Sequence, residues 1–245
     1  HGNHAEIAVA AANAKKNIFV EKPMALNEKD MNRVVRAVKK NKVHYMVGFN
    51  RRFSPFAQKA KEILESKKGP YIITYTVNAG ILPGDHWTYD AKDGGGRIIG
   101  EGCHFFDAFN FFINSEADSV NAHSVNSKEH FFHSEDNVVS CIKYKDGSIA
   151  TLVYTSTGNK ELPKERIEIS RGGVSCVIND FRELSVFGAG GGFKISGQDK
   201  GQMNQLKAFA KAIKGESDAG LSLEECVLAT KISFDVVKQI KEVSK

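Results

Sequence analysis

Cysteine is scarce in this sequence, with four residues in 245 (Cys103, Cys141, Cys176 and Cys226) and no Cys-x-x-Cys pair among them. That spacing excludes a zinc ribbon and a thioredoxin-like redox motif, and it fits reduced thiols in a cytoplasm. No stretch approaches the roughly 18 consecutive apolar residues of a membrane span, and the N-terminus lacks the basic region, apolar run and cleavage site of a secretory signal. A soluble, cytoplasmic protein is the expectation. Neither sign of charge dominates: 34 Lys and Arg stand against 29 Asp and Glu. The excess is spread over lysine-rich helices such as Lys238 to Lys245 instead of one basic stripe with interleaved aromatics, which argues against nucleic-acid binding. There is no internal repeat. The one low-complexity spot, Gly188 to Gly192, opens no helix, so it reads as a loop and not as a phosphate-binding turn.

What is present is ordinary globular material, 41% hydrophobic and 26% charged. The first 50 residues alternate in character. Ala5 to Lys16 is alanine-rich and helix-prone, Asn17 to Val20 is β-prone, Asn27 to Asn41 carries Met31, Val34, Val35 and Val38 at helical spacing, and Val43 to Phe49 reads as a buried strand. Helix, strand, helix, strand is the back half of a parallel α/β unit. Asn27 and Asp30 suit the start of the second helix, because an Asn side chain accepts from orphan backbone N–H groups and a carboxylate favours the positive helix end.

After a helix at about Pro55 to Ser66, the pattern becomes strand-rich. Tyr71 to Ala79 is β-prone; a glycine triplet, Gly94 to Gly96, then leads into an apolar helix, Ile98 to Ile113. The clearest hairpin joins Val138–Tyr144 to Ile149–Tyr154 through Asp146-Gly147, a pair that reaches the positive φ values tight turns require. Further strands follow at Arg166–Ser170, Val174–Ile178 and Leu184–Phe187, and helices at Met203–Lys214 and Leu223–Val243 close the chain. The expected fold is α/β plus α+β, a parallel unit over 1–50 followed over 51–245 by a mainly antiparallel open sheet covered by helices on one face.

Two segments carry chemistry. In Asn17-Ile-Phe-Val-Glu21-Lys22-Pro23 a buried strand ends in a charged pair and a proline, and in open α/β sheets ligands bind beyond the carboxyl ends of the strands. A surface ion pair is the plainer reading of Glu-Lys at a strand end. In Gly94-Gly-Gly-Arg-Ile-Ile-Gly100-Glu101-Gly-Cys-His104-Phe-Phe-Asp107 glycines permit close backbone approach, and Glu101, His104 and Asp107 share a face if the helix begins early. A histidine beside a carboxylate in a cleft is a candidate general base; a core histidine bonded to its helical neighbour is the alternative.

These two runs, with Gly48-Phe-Asn-Arg51-Arg52-Phe53 between them, resemble the ordered motifs of the Gfo/Idh/MocA oxidoreductases. The resemblance implies that residues 1–50 are the later part of a Rossmann-type dinucleotide-binding domain and 51–245 a substrate-binding and dimerisation domain. It implies an NAD(P)-dependent dehydrogenase of a sugar or polyol, with NAD or NADP as cofactor and a homodimer formed through the antiparallel sheet. Lys22 and His104 become the catalytic pair, His104 taking the hydroxyl proton and Lys22 holding the substrate oxygen or cofactor amide. Glu101, Asp107, Arg51 and Trp87 become substrate-pocket residues, and His4, Glu21, Lys22 and Pro23 become cofactor contacts. Two departures stand out. Gly100 occupies a position where many members carry Asp, and no Gly-x-Gly-x-x-Gly follows an N-terminal strand, so weak cofactor binding and an inactive truncated form are expected of this chain. The runs Asn78–Trp87, Gly96–His104 and Leu162–Arg166 further resemble a subset joined downstream of a zinc-type alcohol-dehydrogenase-like region.

Other candidates are weaker. His130-Phe-Phe-His133, with His123, Glu135 and Asp136 nearby, has partial metal-ligand spacing but not the Glu and spacing of a helical metalloprotease motif, and no metal site is expected. The rival to catalysis is an assembly module whose sheet face, bearing Val139, Cys141, Ile149 and Leu152, buries against a second copy.

Overall fold

The computed structural model describes residues 1–125 and 133–243. The first part holds helix α1 (His4–Asn13), strand β1 (Ile18–Val20), helix α2 (Glu28–Asn41) and strand β2 (Tyr45–Val47), and the two strands pair in parallel with Ile18 opposite Tyr45 and Val20 opposite Val47. Helix α2 is strongly amphipathic because Met31, Val34, Ala37 and Val38 fall on its buried side; Asn27 caps it by accepting from the Asp30 N–H at 2.9 Å. With both strands running the same way, the Glu21-Lys22-Pro23 and Gly48–Arg51 segments emerge side by side from their carboxyl ends.

A 3₁₀ turn (Arg51–Phe53) and helix α3 (Pro55–Glu65) lead to β3 (Ile72–Asn78). A π-helical turn over Ile98–Gly102 then runs into α4 (Cys103–Ile113), followed by β4 (Ala117–Ser124), β5 (Val138–Tyr144), β6 (Ile149–Thr155), β7 (Glu165–Arg171), β8 (Val174–Asn179), β9 (Glu183–Phe187), β10 (Phe193–Lys194), α5 (Gln202–Ile213) and α6 (Leu223–Val243). The large sheet has the order β10-β9-β8-β7-β3-β6-β5-β4. It is antiparallel except at its centre, where β3 runs parallel to β6. Alternation sorts its residues: Ile73, Tyr75, Val77, Leu152, Tyr154, Ile167 and Ile169 are buried, while Ile72, Val139 and Ile149 on the other phase are exposed. The Asp146-Gly147 hairpin forms where the sequence places it, Gly147 adopting φ +88°.

The glycine triplet is packed closely within the fold. A Cβ at Gly94 would lie 2.2 Å from the Thr88 carbonyl oxygen, and Gly96 (φ +90°) leaves room for the Glu135 carboxylate, which accepts from the Ile98 N–H at 2.8 Å. Gly94→Ala should therefore cost roughly 1–3 kcal/mol of stability, read as a lowered thermal midpoint, since backbone rather than a flexible side chain must give way.

Candidate active site

Helix α4 carries phenylalanines on nearly every side and is buried from Cys103 to Asn110. Polar groups on such a helix must find partners in the interior. Asp107 finds Arg52, whose Nε and Nη2 donate to its two oxygens at 3.0 and 2.7 Å, while Arg52 also reaches Glu225 at 2.6 Å. Burial drives the Asp107 carboxyl up to about 6 against the pull of Arg52. Its expected place in the substrate pocket is thus corrected: it is fully buried and both oxygens are taken by Arg52.

Arg51 is likewise committed. Its Nε and Nη2 donate to Glu165 at 3.1 and 2.9 Å, and Lys200 Nζ and the Tyr75 hydroxyl bond the same carboxylate at 2.6 and 2.5 Å. Glu165 has no solvent exposure, and although burial opposes ionisation, the two cations hold its carboxyl at about 2. Arg51 lines the cavity beside His104, but its guanidinium fork is spent on this cluster.

Glu101 lies in the π-helical turn, and the extra residue in such a turn takes it off the face that carries His104 and Asp107. Its carboxylate accepts from the Tyr154 hydroxyl at 2.6 Å and from Lys164 Nζ at 2.7 Å, and Tyr154 in turn accepts from Arg97 Nε at 2.8 Å. Burial opposes ionisation, yet Lys164 and Tyr154 bring the Glu101 carboxyl below its ordinary value. The three acidic and basic residues expected on one face of the helix therefore point into three environments.

The charge of Lys22 acts on His104. Lys22 Nζ donates to the Gly100 carbonyl at 2.7 Å, one helical turn before His104. The His104 ring is 5% exposed, packs edge-on to Phe49 at 5.9 Å, and buries Nδ1 without a hydrogen-bond partner. Burial, followed by the positive field of Arg51, Lys22, Lys164 and Lys200, pushes its pKa well below the ordinary 6.5, so the imidazole is neutral at physiological pH. Nδ1 of His4 donates to the Pro23 carbonyl at 2.8 Å and ties the loop after β1 to α1. Gly100 faces another imidazole, since a Cβ there would lie 3.0 Å from Cε1 of His1.

Trp87 is 52% exposed, meets His1 edge-on at 4.9 Å and does not line the His104 cavity. His130 lies outside the described residues; His133 stacks on Tyr89 at 3.5 Å. Among the described residues no three His, Cys, Asp or Glu side chains gather as a metal site. The residues that sequence reasoning passed over are Glu165, Lys164, Lys200, Tyr154 and Arg52. For Glu165 a signal existed, because it shares the inward phase of Ile167 and Ile169 on β7.

A parallel β–α unit whose strand ends share a cavity with helix α4, followed by a mainly antiparallel sheet, defines a mixed α/β fold. Residues 1–49 match the oxidoreductase family with an NAD-binding Rossmann fold, and residues 57–175 match the GFO/IDH/MocA C-terminal domain. The chain belongs to the GFO/IDH/MocA family of oxidoreductases. It is 25% identical to myo-inositol 2-dehydrogenase of Thermotoga maritima, over 98% of this chain and 75% of that protein. It is 31% identical to scyllo-inositol 2-dehydrogenase (NAD(+)) of Bacillus subtilis, over 49% of this chain and 35% of that one. A levoglucosan dehydrogenase, solved with NADH and levoglucosan, shares the fold with a TM-score of 0.83 at 23% identity, covering 98% of this chain and 76% of its own. No helix among the described residues is long and apolar enough to cross a membrane.

Proposed function

We propose that this chain carries the reacting end of an NAD(P)-dependent dehydrogenase that oxidises a secondary alcohol of a cyclic polyol or sugar. The observation that supports it is a neutral, buried His104 under the charge of Lys22, whose Nζ donates to the Gly100 carbonyl one helical turn earlier, beyond the carboxyl ends of parallel strands. The names of the inositol dehydrogenases among its relatives agree with it.

The residues present fit the nicotinamide end of such a cofactor: His104 keeps a buried ring nitrogen unpaired, and the Lys22-Pro23 loop is fastened by His4. When bound, the cofactor supplies the hydride acceptor. His104 takes the substrate hydroxyl proton because its imidazole is neutral, and Lys22 favours the alkoxide-like oxygen that develops. Glu101, held by Tyr154 and Lys164, accepts from a second substrate hydroxyl in this reading. Glu21 and Pro23 complete the wall beside the cofactor.

The test is reduction of NAD or NADP by this protein with myo-inositol, scyllo-inositol and levoglucosan at saturating cofactor, followed by absorbance. Cofactor that binds but is not reduced with any of them, nor with a wider set of sugars, removes the proposal. Acid sensitivity follows from the depressed His104 value: the acidic limb of the turnover profile should lie below pH 6.5, and replacing Lys22 or Lys164 with Met should move it upward by removing a positive charge. An acidic limb at or above the ordinary histidine value in the unaltered protein would remove His104 as the neutral base.

Two finer features belong to the same reading. The exposed Ile72, Val139 and Ile149 on the open sheet face support pairing of two copies, which sedimentation velocity of a Val139→Lys variant would test. The Asn78–Trp87 and Leu162–Arg166 runs support membership of the subset joined to a zinc-type alcohol-dehydrogenase-like region.

A further inference from the structure

Glu21 and Lys22 are neighbours in sequence but meet different segments. Lys22 reaches the Gly100 carbonyl, whereas the Glu21 carboxylate lies against Gly48, where a Cβ would be 3.0 Å from its Oε2. On that side a cavity of about 270 Å³ opens at the ends of β1 and β2, lined by Phe19, Glu21, Asn50, Arg51, His104 and Gln205, with the exposed Gln202 at its edge. Such a volume with polar walls accommodates several waters.

His104 needs an outlet. The charged groups that act on it come from four segments: Lys22 after β1, Arg51 in the 3₁₀ turn, Lys164 before β7 and Lys200 before α5. Glu165 balances Arg51 and Lys200, and Glu101 balances Lys164. A proton accepted by an imidazole in this field does not stay there. Arg51 cannot take it, the Asn50 and Gln205 amides are bonded to the Lys200 and Val47 carbonyls, and Glu21 is the one carboxylate in the cavity wall.

The geometry points to this cavity as the proton exit of the site, with Glu21 as the carboxylate at its mouth that receives, through water, the proton His104 takes from the substrate. The inference rests on the dehydrogenase reading. In that reaction the substrate C–H bond breaks with its electron pair passing to the oxidised nicotinamide, the O–H bond breaks as the carbonyl forms, and the proton moves to His104, then to Glu21 and to solvent. Glu21 thus acts through His104 and is a positioning and relay residue.

Two measurements test it on the whole chain. In the first, Glu21→Gln and Gln202→Phe, the latter to plug the mouth without touching His104, are assayed for NAD(P) reduction with and without acetate or imidazole as small proton carriers. A fall in turnover of about tenfold, with little change in substrate KM and with recovery when the carrier is added to Glu21→Gln, is expected. In the second, which needs no cofactor, the His104 ring carbon signals are followed by NMR against pH. Replacing Glu21 should move the midpoint to lower pH, the direction opposite to Lys22→Met. Unchanged turnover, or a loss that small carriers do not restore, overturns the exit route. If the unaltered protein binds cofactor but reduces none, the dehydrogenase reading fails, and whether or not it does, an unmoved His104 midpoint in Glu21→Gln overturns the coupling.

Discussion

His104→Ala should lower turnover by about 10²–10⁴-fold while the protein stays folded and retains nicotinamide affinity. The size follows from the role, because removing a positioned proton acceptor leaves water to do its work in a site where water is poorly placed. Folding should survive, since the ring makes one edge-on aromatic contact with Phe49 and leaves Nδ1 unsatisfied, so its removal strands no partner. The signature that separates catalysis from structure is the pH profile. In the unaltered protein turnover should hold until the pH falls below the ordinary histidine value; in His104→Ala the residual rate should instead rise with hydroxide. The same group links pH to stability: the folded state holds its imidazole neutral, so stability is full above the unfolded value near 6.5 and declines as pH falls below it. A His104→Ala protein should lose that part of the slope. Turnover within a factor of two of the original would remove His104 from the chemistry and leave a buried histidine with a packing role.

Much of this arrangement is legible in the sequence, and the boundary between legible and hidden has a physical basis. Hydrophobic periodicity locates α2, the β5–β6 hairpin and the paired strands, because in each case one phase of residues is buried and the other is not. Lys22 and His104 are proposed as the reacting pair on the family motifs, not on periodicity. What periodicity cannot show is the π-helical turn at Ile98–Gly102, which defeats the simple three-residue spacing from Glu101 to His104 and sends the two side chains to different partners. Nor can it show the choice each buried charge makes. Arg51 and Arg52 are adjacent and chemically identical, yet one turns to Glu165, 114 positions on, and the other to Asp107, 55 positions on. The parallel pairing of β3 with β6 is hidden for the same reason, since it depends on contacts distant in sequence. Asp107 was legible as a conspicuous carboxylate near His104, but only the position of Arg52 shows that it belongs to the core.

Glu165→Gln should destabilise the fold by about 3–5 kcal/mol, more than a substitution of such similar shape ordinarily does. The carboxylate is fully buried and receives Arg51, Lys200 and Tyr75 together. A neutral amide of the same size leaves Arg51 and Lys200 facing each other at the base of the site, and one of its two polar ends presents an N–H where only donors point. Reversing the loss should require removing positive charge as well, so Glu165→Gln combined with Lys200→Met should recover part of it. The pH dependence provides an independent check. With its folded value at about 2 and an ordinary value of 4.5, Glu165 contributes stability that is complete above 4.5 and is lost as pH falls toward 2. Urea unfolding midpoints of the unaltered protein should therefore decline through that window. In Glu165→Gln the midpoint should begin lower and decline less, since the group that titrates there is gone. A variant with the original midpoint at neutral pH would show that the cluster is solvated in a way its zero exposure contradicts. Because Arg51 lines the His104 cavity and is fixed by this carboxylate, the same substitution should also disturb the field that keeps His104 neutral, joining the stability of the fold to the chemistry of the site.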